Sequence, residues 1–333
     1  MSALIPTDQP SYDDILAAAQ RLEGLAVCTP MLQSAALDER IGGRVLIKAE
    51  TLQRTGSFKF RGAYNRISQI DPAERTKGVV AFSSGNHAQG VAAAAKLFDM
   101  PATIVMPRDA PAIKLQRTRA LGATVIEYDR VGESREDIGE AIVAQTGATL
   151  VKPFDDPEVI CGQGTVGLEI ADALDARGIT PDTVLSPCSG GGLIAGTAIA
   201  LSARFPGIEV VSVEPAGFDD TARSLKTGGR VTNALGSTSI CDALLSPNPG
   251  ELTFAVNRHL LAAGLAVDDK AVRAAMAFAF TEMKLVIEPG GAVALAALLS
   301  GAFDGRNRTT VIIASGGNAD PVLYAEILNE SRA

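Results

Sequence analysis

Short β-rich runs alternate with alanine-rich helical stretches along almost the whole of this 333-residue chain. Strand patterns fall at 44–49, 78–82, 102–106, 124–128, 183–186, 209–214 and 310–314. Helical patterns separate them at 87–98, 112–121, 134–145, 164–177 and 270–283. Parallel strands need long crossovers, and crossover helices cover both faces of a sheet. The expected fold class is therefore α/β, with two domains that are each a mostly parallel sheet flanked by helices. Residues 53–155 hold one complete unit of four strand–helix alternations, and 1–52 plus 156–333 form the larger one. A helix is also expected near the N-terminus, where Ser11 is placed to cap and Asp14 to return the cap, ahead of Ile15, Ala18 and Leu22 at helical spacing.

Composition narrows the function. Hydrophobic residues make up 47% and charged residues 20% of the chain, a soluble globular balance. A net charge of −8 leaves no basic face for phosphates, so nucleic acid is not an expected partner. Cys28, Cys161, Cys188 and Cys241 are scattered, which fits neither a zinc site nor a disulfide framework and suits a reducing compartment. The N-terminus lacks a charged-then-apolar signal pattern, and the longest nearly apolar run, 290–303, is too short to span a bilayer. The expected location is the cytoplasm, without a membrane partner. His87 and His259 are the only histidines, too few for a His-rich metal site and little material for a Ser-His-Asp triad. Reactive chemistry then has to come from a cofactor.

Three strand ends run into small, polar loops: Ser83-Ser84-Gly85-Asn86-His87, Ser189-Gly190-Gly191-Gly192-Leu193 and Ser315-Gly316-Gly317-Asn318. Parallel α/β sheets bind ligands outside the carboxyl ends of their strands. Free N–H groups at a helix start bind phosphate, and consecutive glycines let the backbone approach it. A tight turn without a ligand fits the triple glycine too. So does a dinucleotide site, because Gly190–Ala195 satisfies G-x-G-x-x-A and Glu214 follows roughly twenty residues later, as in an NAD-binding dehydrogenase. That reading leaves the other two loops unused. It also leaves Lys59, set between Phe58 and Phe60. Apolar surroundings lower a lysine pKa and yield an amine able to attack a carbonyl, such as the aldehyde of pyridoxal phosphate (PLP). A lysine stem packed along apolar neighbours with its charge in water is the plain alternative.

Together, Ser57-Phe58-Lys59-Phe60-Arg61-Gly62-Ala63, Ser83-Ser84-Gly85-Asn86-His87-Ala88-Gln89-Gly90 and the loops at Ser189 and Ser315 resemble fold type II PLP enzymes. Within that group they are similar to the serine/threonine dehydratase and serine racemase family. Glu288-Pro289-Gly290-Gly291-Ala292 and Gly162-Gln163-Gly164-Thr165 match further stretches typical of it. The resemblance implies a tryptophan synthase β-like fold with PLP in the interdomain cleft, and a homodimer. It implies that Lys59 bonds to the cofactor aldehyde and later removes the substrate α-proton. Phe58 would lie against the ring, Asn86 would bond the phenolic oxygen and Ser315 would meet the pyridine nitrogen. Ser189, Gly190, Gly191, Gly192 and Leu193 would cradle the phosphate. Ser83, Ser84, Gly85, Asn86 and His87 would bind the substrate carboxylate, although His87 also reads as an ordinary polar residue at a helix start. Ser84 would serve as the second-face acid and base of a racemase.

Glu214, the Phe218 carbonyl and Asp220 resemble the family's cation site and offer hard oxygen ligands suited to Mg²⁺ or Ca²⁺. A solvated acidic loop is the plain reading of the same residues. Ala243 stands where serine-preferring relatives place glycine against the ring. The expected reaction is β-elimination from a small L-β-hydroxy amino acid to a 2-oxo acid and ammonia. Serine or threonine leads as substrate, 3-hydroxyaspartate follows, and a serine or aspartate-type racemase with dehydratase side activity is the alternative.

Overall fold

The computed structural model describes residues 9–83 and 85–331. Two sheets organise them. The smaller has the order β5-β4-β3-β6, with β3 at Val79–Phe82, β4 at Ala102–Pro107, β5 at Thr124–Tyr128 and β6 at Thr149–Leu150. All of its pairings are parallel. The larger has the order β1-β2-β10-β7-β8-β9. Its strands are β1 (Met31–Gln33), β2 (Arg44–Ala49), β7 (Thr183–Pro187), β8 (Glu209–Pro215), β9 (Leu261–Val267) and β10 (Thr309–Ala314). Only the β1–β2 pairing is antiparallel.

The mixed α/β class and the two parallel sheets stand as the alternation required. β7 (Thr-Val-Leu-Ser-Pro) and β10 (Thr-Thr-Val-Ile-Ile-Ala) show no polar–apolar alternation and are buried along nearly their whole length, because helices cover both of their faces. The apolar run at 290–303 supplies the helix Pro289–Leu299, sealed inside the core of the larger sheet. No helix among the described residues is long and apolar enough to cross a membrane. The Ser11 cap forms as expected: its Oγ accepts from Asp14 N at 3.2 Å, and Asp14 Oδ2 accepts from Ser11 N at 2.9 Å.

One helix differs from its sequence pattern in a way that matters. It begins at Pro157 and runs to Asp175, with Asp156 Oδ1 accepting from Glu158 N and Val159 N at 2.9 and 3.0 Å. Gly162, Gly164 and Gly167 look like loop residues in sequence, yet here they are contact points between helices. A Cβ on Gly162 would stand 2.6 Å from the Gly62 Cα, inside the helix Lys59–Ser68. A Cβ on Gly196, in the helix Gly192–Arg204, would stand 2.3 Å from the Ile160 oxygen and 2.6 Å from the Gly164 nitrogen. The central helix thus holds two others backbone against backbone. One begins with Lys59 and the other with the triple glycine.

Gly196→Ala is expected to lower the unfolding free energy by about 1–3 kcal/mol in denaturant titration, because overpacking against backbone outweighs the helix-propensity gain of roughly 1 kcal/mol. Gly229→Ala, where an added Cβ meets nothing within 4 Å, provides the near-neutral comparison. Equal midpoints for the two variants would remove the close-packing argument.

Candidate active site

Backbone pairing places Lys59 before any side chain does. Ser57 bridges Gly316, Phe58 N donates to Ser315 O at 3.2 Å, and Gly317 N donates to Gly56 O at 2.9 Å. The loop after β10 and the entry to the Lys59 helix are thereby tied together. Two residues further on, Arg61 is only 1% exposed. Its Nε and Nη2 donate to the Glu50 carboxylate, both at 2.8 Å, and its Nη1 and Nη2 donate to Glu169 at 2.6 and 2.9 Å. Lys48 Nζ donates to Glu169 Oε2 at 2.5 Å, so two cations balance two carboxylates beneath the helix start.

Lys59 itself lines a cleft with Phe58, Ser83, Asn86, Ser315 and the loop 189–193. Its Nζ donates to Pro153 O at 2.6 Å and lies 5.1 Å from the Phe58 ring centre. Burial lowers its pKa to about 8. His87 is buried rather than an ordinary polar surface residue, with Nε2 at 2.9 Å from Val151 O and Nδ1 without a partner among the described residues. Burial first, then the nearby charge of Lys59, pushes its pKa down to about 3. The ring is neutral, so Nε2 carries the proton and donates to Val151 O.

The loop 189–193 turns its carbonyls away from the cleft. Gly190 O accepts from Thr253 Oγ1 at 2.6 Å and from Gly250 N at 3.2 Å, and Gly191 O accepts from Asn257 Nδ2 at 3.3 Å. The N–H groups of residues 190–193 find no acceptor among the described residues, and the helix from Gly192 has no side-chain cap. Gly191 sits at φ 94°, and a Cβ on Gly190 would meet the Phe154 ring at 2.4 Å, so both positions need glycine. This is a ready anion cradle. The Ser189 hydroxyl donates to Ser246 Oγ at 2.9 Å, a partner the sequence reading missed. Glu214 does not face the cleft as a ribose partner would. It accepts from Thr221 N and Ala222 N at 2.9 and 2.8 Å, which corrects the dinucleotide reading of that pair.

Across the cleft, the helix Asn86–Lys96 also starts without a side-chain cap. The Gly85 N–H is taken by Ser83 Oγ at 3.2 Å. Asn86 donates through Nδ2 to Glu288 Oε1 at 2.5 Å and accepts at Oδ1 from Asn318 Nδ2 at 2.8 Å, which leaves one amide hydrogen for a ligand. Ser84 lies outside the described residues. Sequence reading also passed over Lys114, 3% exposed on the cleft wall, with Nζ at 2.5 Å from Asp242 and 3.6 Å from Glu288. Burial opposes its charge, but Glu288 and Asp242 outweigh that and raise its pKa. Ala243 is on the same wall.

Behind the anion cradle, Glu214 and Asp220 are both buried. Asn233 Nδ2 donates to Asp220 Oδ1 at 2.6 Å, while Asp220 Oδ2 has no partner among the described residues. Burial and then Asp220 push Glu214 up to about 8, and burial pushes Asp220 up to about 6. Two carboxylates with a vacant oxygen and too little positive charge suit a hard cation. No cluster of three His, Cys, Asp or Glu side chains occurs among the described residues.

Residues 22–316 match the family described as pyridoxal-phosphate dependent enzyme. An L-threo-3-hydroxyaspartate ammonia-lyase of Pseudomonas sp is 46% identical over 318 residues, 96% of this chain and 98% of that protein. The crystal structure of a threonine deaminase from T.th. superposes with a TM-score of 0.87 at 42% identity, covering 93% of this chain and 99% of that one. Maize serine racemase gives a TM-score of 0.90 at 38% identity, covering 97% and 98%.

In the cofactor-free protein, the Lys59 amine should react with an amine-selective reagent at a rate that rises with pH and is half-maximal near pH 8. Below that value the ammonium dominates and is inert. Peptide mapping reads the modification, and a half-point near the roughly 10.4 of a solvated lysine would refute the burial argument.

Proposed function

The chain belongs to the family of pyridoxal-phosphate dependent enzymes, and we propose that within it this protein acts on L-threo-3-hydroxyaspartate. The reaction class is β-elimination from a small β-hydroxy amino acid, the work of an ammonia-lyase. One structural observation carries the site assignment. The buried Lys59 amine stands in one cleft with the uncapped loop 189–193, the two ends that a phosphate-bearing aldehyde needs. Bound PLP supplies an electron sink that stabilises negative charge at the substrate Cα.

The chain's residues do the rest. Lys59 Nζ, far more often neutral near neutral pH than a solvated lysine because burial lowers its pKa to about 8, takes the proton from Cα. The first N–H groups of the Asn86 helix hold the substrate α-carboxylate. Phe58 would pack on the cofactor ring, Asn86 would meet its phenolic oxygen and Ser315 its pyridine nitrogen. A serine hydroxyl cannot stabilise a full pyridinium charge, which favours prompt loss of the β-hydroxyl over a long-lived carbanion. The β-hydroxyl would leave as water with the proton that Lys59 took from Cα, and a second water would hydrolyse the released imine to the 2-oxo acid and ammonia. Support for 3-hydroxyaspartate ahead of serine or threonine comes from the Pseudomonas relative. The residue at 84 is serine, and the resemblance to maize serine racemase supports an accompanying inversion through Ser84. Residues 53–155 are proposed as the smaller domain that carries the carboxylate-binding loop. Glu214, Phe218 O and Asp220 are proposed as ligands for Mg²⁺ or Ca²⁺.

A panel of L-serine, L-threonine and L-threo-3-hydroxyaspartate, assayed for oxo acid, ammonia and inverted product, tests the substrate. The kcat/KM for hydroxyaspartate is expected to exceed the others by at least ~10-fold. Faster turnover of serine or threonine would reverse the assignment.

The cation proposal predicts a pH signature. The folded pKa values of Glu214 and Asp220 lie above the ordinary ones, so their contribution to stability is complete at low pH. It is lost as the pH rises through about 6 and about 8. A cation binds only the ionised pair. Excess Mg²⁺ or Ca²⁺ should therefore raise the unfolding midpoint by roughly 5 °C at alkaline pH and do little under acid conditions. Asp220→Asn should abolish the difference. A cation response independent of pH would count against the site.

A further inference from the structure

We propose that Asn318 is a positioning residue, holding the Asn86 side-chain amide in the one orientation that turns an N–H, and not the carbonyl, toward the phenolic oxygen of the cofactor. The proposal rests on the assignment of Asn86 to that oxygen above. Asn318 closes the motif Ser315-Gly316-Gly317-Asn318, yet the reaction as described leaves it no task. It is buried and stands one layer behind the cleft wall, against Asn86. Its partners fix its polarity. Arg117 Nη1 donates to Asn318 Oδ1 at 2.8 Å, and a guanidinium can only donate. Asn318 Nδ2 donates to Thr55 O at 2.7 Å, and a backbone carbonyl can only accept. A flipped amide would set donor against donor at Arg117 and acceptor against acceptor at Thr55. The second Nδ2 hydrogen goes to Asn86 at 2.8 Å, so the Asn86 atom that receives it is Oδ1. Asn86 Nδ2 is then turned to Glu288 Oε1, and its remaining hydrogen is left for the cleft. Lys114, with Nζ 3.6 Å from Glu288 Oε2, favours the ionised, accepting form of that carboxylate.

The backbone is shaped around the same residue. Thr55 at φ 61° and Gly56 at φ 74° are successive left-handed residues, a strained conformation for a threonine. A Cβ on Gly56 would stand 2.7 Å from Asn318 Oδ1, so the turn needs glycine for the amide to fit. Gly317 N closes the turn on Gly56 O at 2.9 Å. A strained turn is thus kept where its carbonyl sets the direction of one buried amide. The direction has a chemical consequence at the cofactor. An N–H facing the phenolic oxygen stabilises its anion, whereas a carbonyl facing it favours the protonated phenol.

The test compares the holoenzymes of Asn318→Asp and Asn318→Ala with the wild type. Aspartate keeps the size and pairs with Arg117, but it offers Asn86 an acceptor where a donor stood and so inverts the amide. Alanine removes the direction without reversing it. The visible absorption band of the bound cofactor is expected to move to shorter wavelength as the phenol takes its proton, and to move further in Asn318→Asp than in Asn318→Ala. The kcat for β-elimination should fall ~10–100-fold in Asn318→Asp and less than about 10-fold in Asn318→Ala, with KM changed less than about 3-fold. A packing role predicts the reverse order, because aspartate is nearly isosteric with asparagine. Circular dichroism checks folding, and a wild-type band in Asn318→Ala overturns the proposal even where the aspartate variant fails to fold. Asn86→Ala is the reference and should shift the band as Asn318→Asp does. An unshifted band in Asn86→Ala would sink the assignment of Asn86 to the phenolic oxygen. A shifted band there, beside wild-type bands in the Asn318 variants or a larger effect of alanine than of aspartate, would overturn the role of Asn318 alone.

Discussion

Contact between helix backbones at glycine is the constraint on which the site depends. Gly62 meets Gly162, and Gly164 meets Gly196, so the central helix is crossed by two others at glycine, with backbone close to backbone. Interiors packed at crystal density transmit displacement rather than absorb it. The helix that begins with Lys59 and the helix that begins at Gly192 are consequently fixed relative to each other, although over a hundred residues separate them. Arg61 adds a second lock. A guanidinium buried this deeply is tolerable only when its donors are satisfied, and Glu50, Glu169, Thr165 and Val27 O do so. Removing one partner would strand a buried charge two residues from the reactive amine.

The electrostatics of the cleft follow from that rigidity. Lys59 is stripped of water without being given a carboxylate, so its ammonium is destabilised and the free amine becomes available. Lys114 is similarly buried yet faces Asp242 and Glu288, and it stays charged. His87 is held neutral by burial and by Lys59. Two lysines in one cleft thus have opposite protonation tendencies, and the difference lies entirely in what stands beside them.

Much of this was legible in sequence. The strands at 44–49 and 124–128 matched to the residue, because β-branched runs bounded by turn residues have one good interpretation. The loops could be read because glycine and serine clusters after apolar strands have few other uses. β9 was not legible: Leu261–Val267 contains three alanines and a glycine. It is a strand because it pairs with β8, and Gly264 lets Ala222 pack closely on it, tertiary facts with no local signal. Lys114 was missed for a related reason. Nothing in a helical pattern distinguishes a lysine facing solvent from one facing a cleft formed by a distant segment. Sequence also placed the start of the Pro157 helix too late, because its glycines serve packing rather than turning.

The helix starts carry a further regularity. Helices that begin away from the cleft are capped by a side chain, at Ser11, Ser34, Asp156, Asp268 and Asp320 from the preceding residue. Those after Asp219 and Gly250 borrow the carboxylates of Glu214 and Asp155 instead. The helices beginning after Phe58, Gly85, Pro111, Gly191 and Glu288 carry cleft residues in or beside their first turns and have no side-chain cap from the preceding residue. An unfilled helix start costs on the order of 1 kcal/mol relative to a capped one. Concentrating such starts around one cleft means that local stability has been given up where donors must stay free. The donors after Gly85 and Gly191 are the ones proposed above for a carboxylate and a phosphate. Arg135 inverts the pattern, since its helix is capped by Ser134 and its charge opposes the dipole. Backbone donors are common to any substrate with an α-carboxylate and any cofactor with a phosphate, whereas a side chain can be exchanged as the substrate changes.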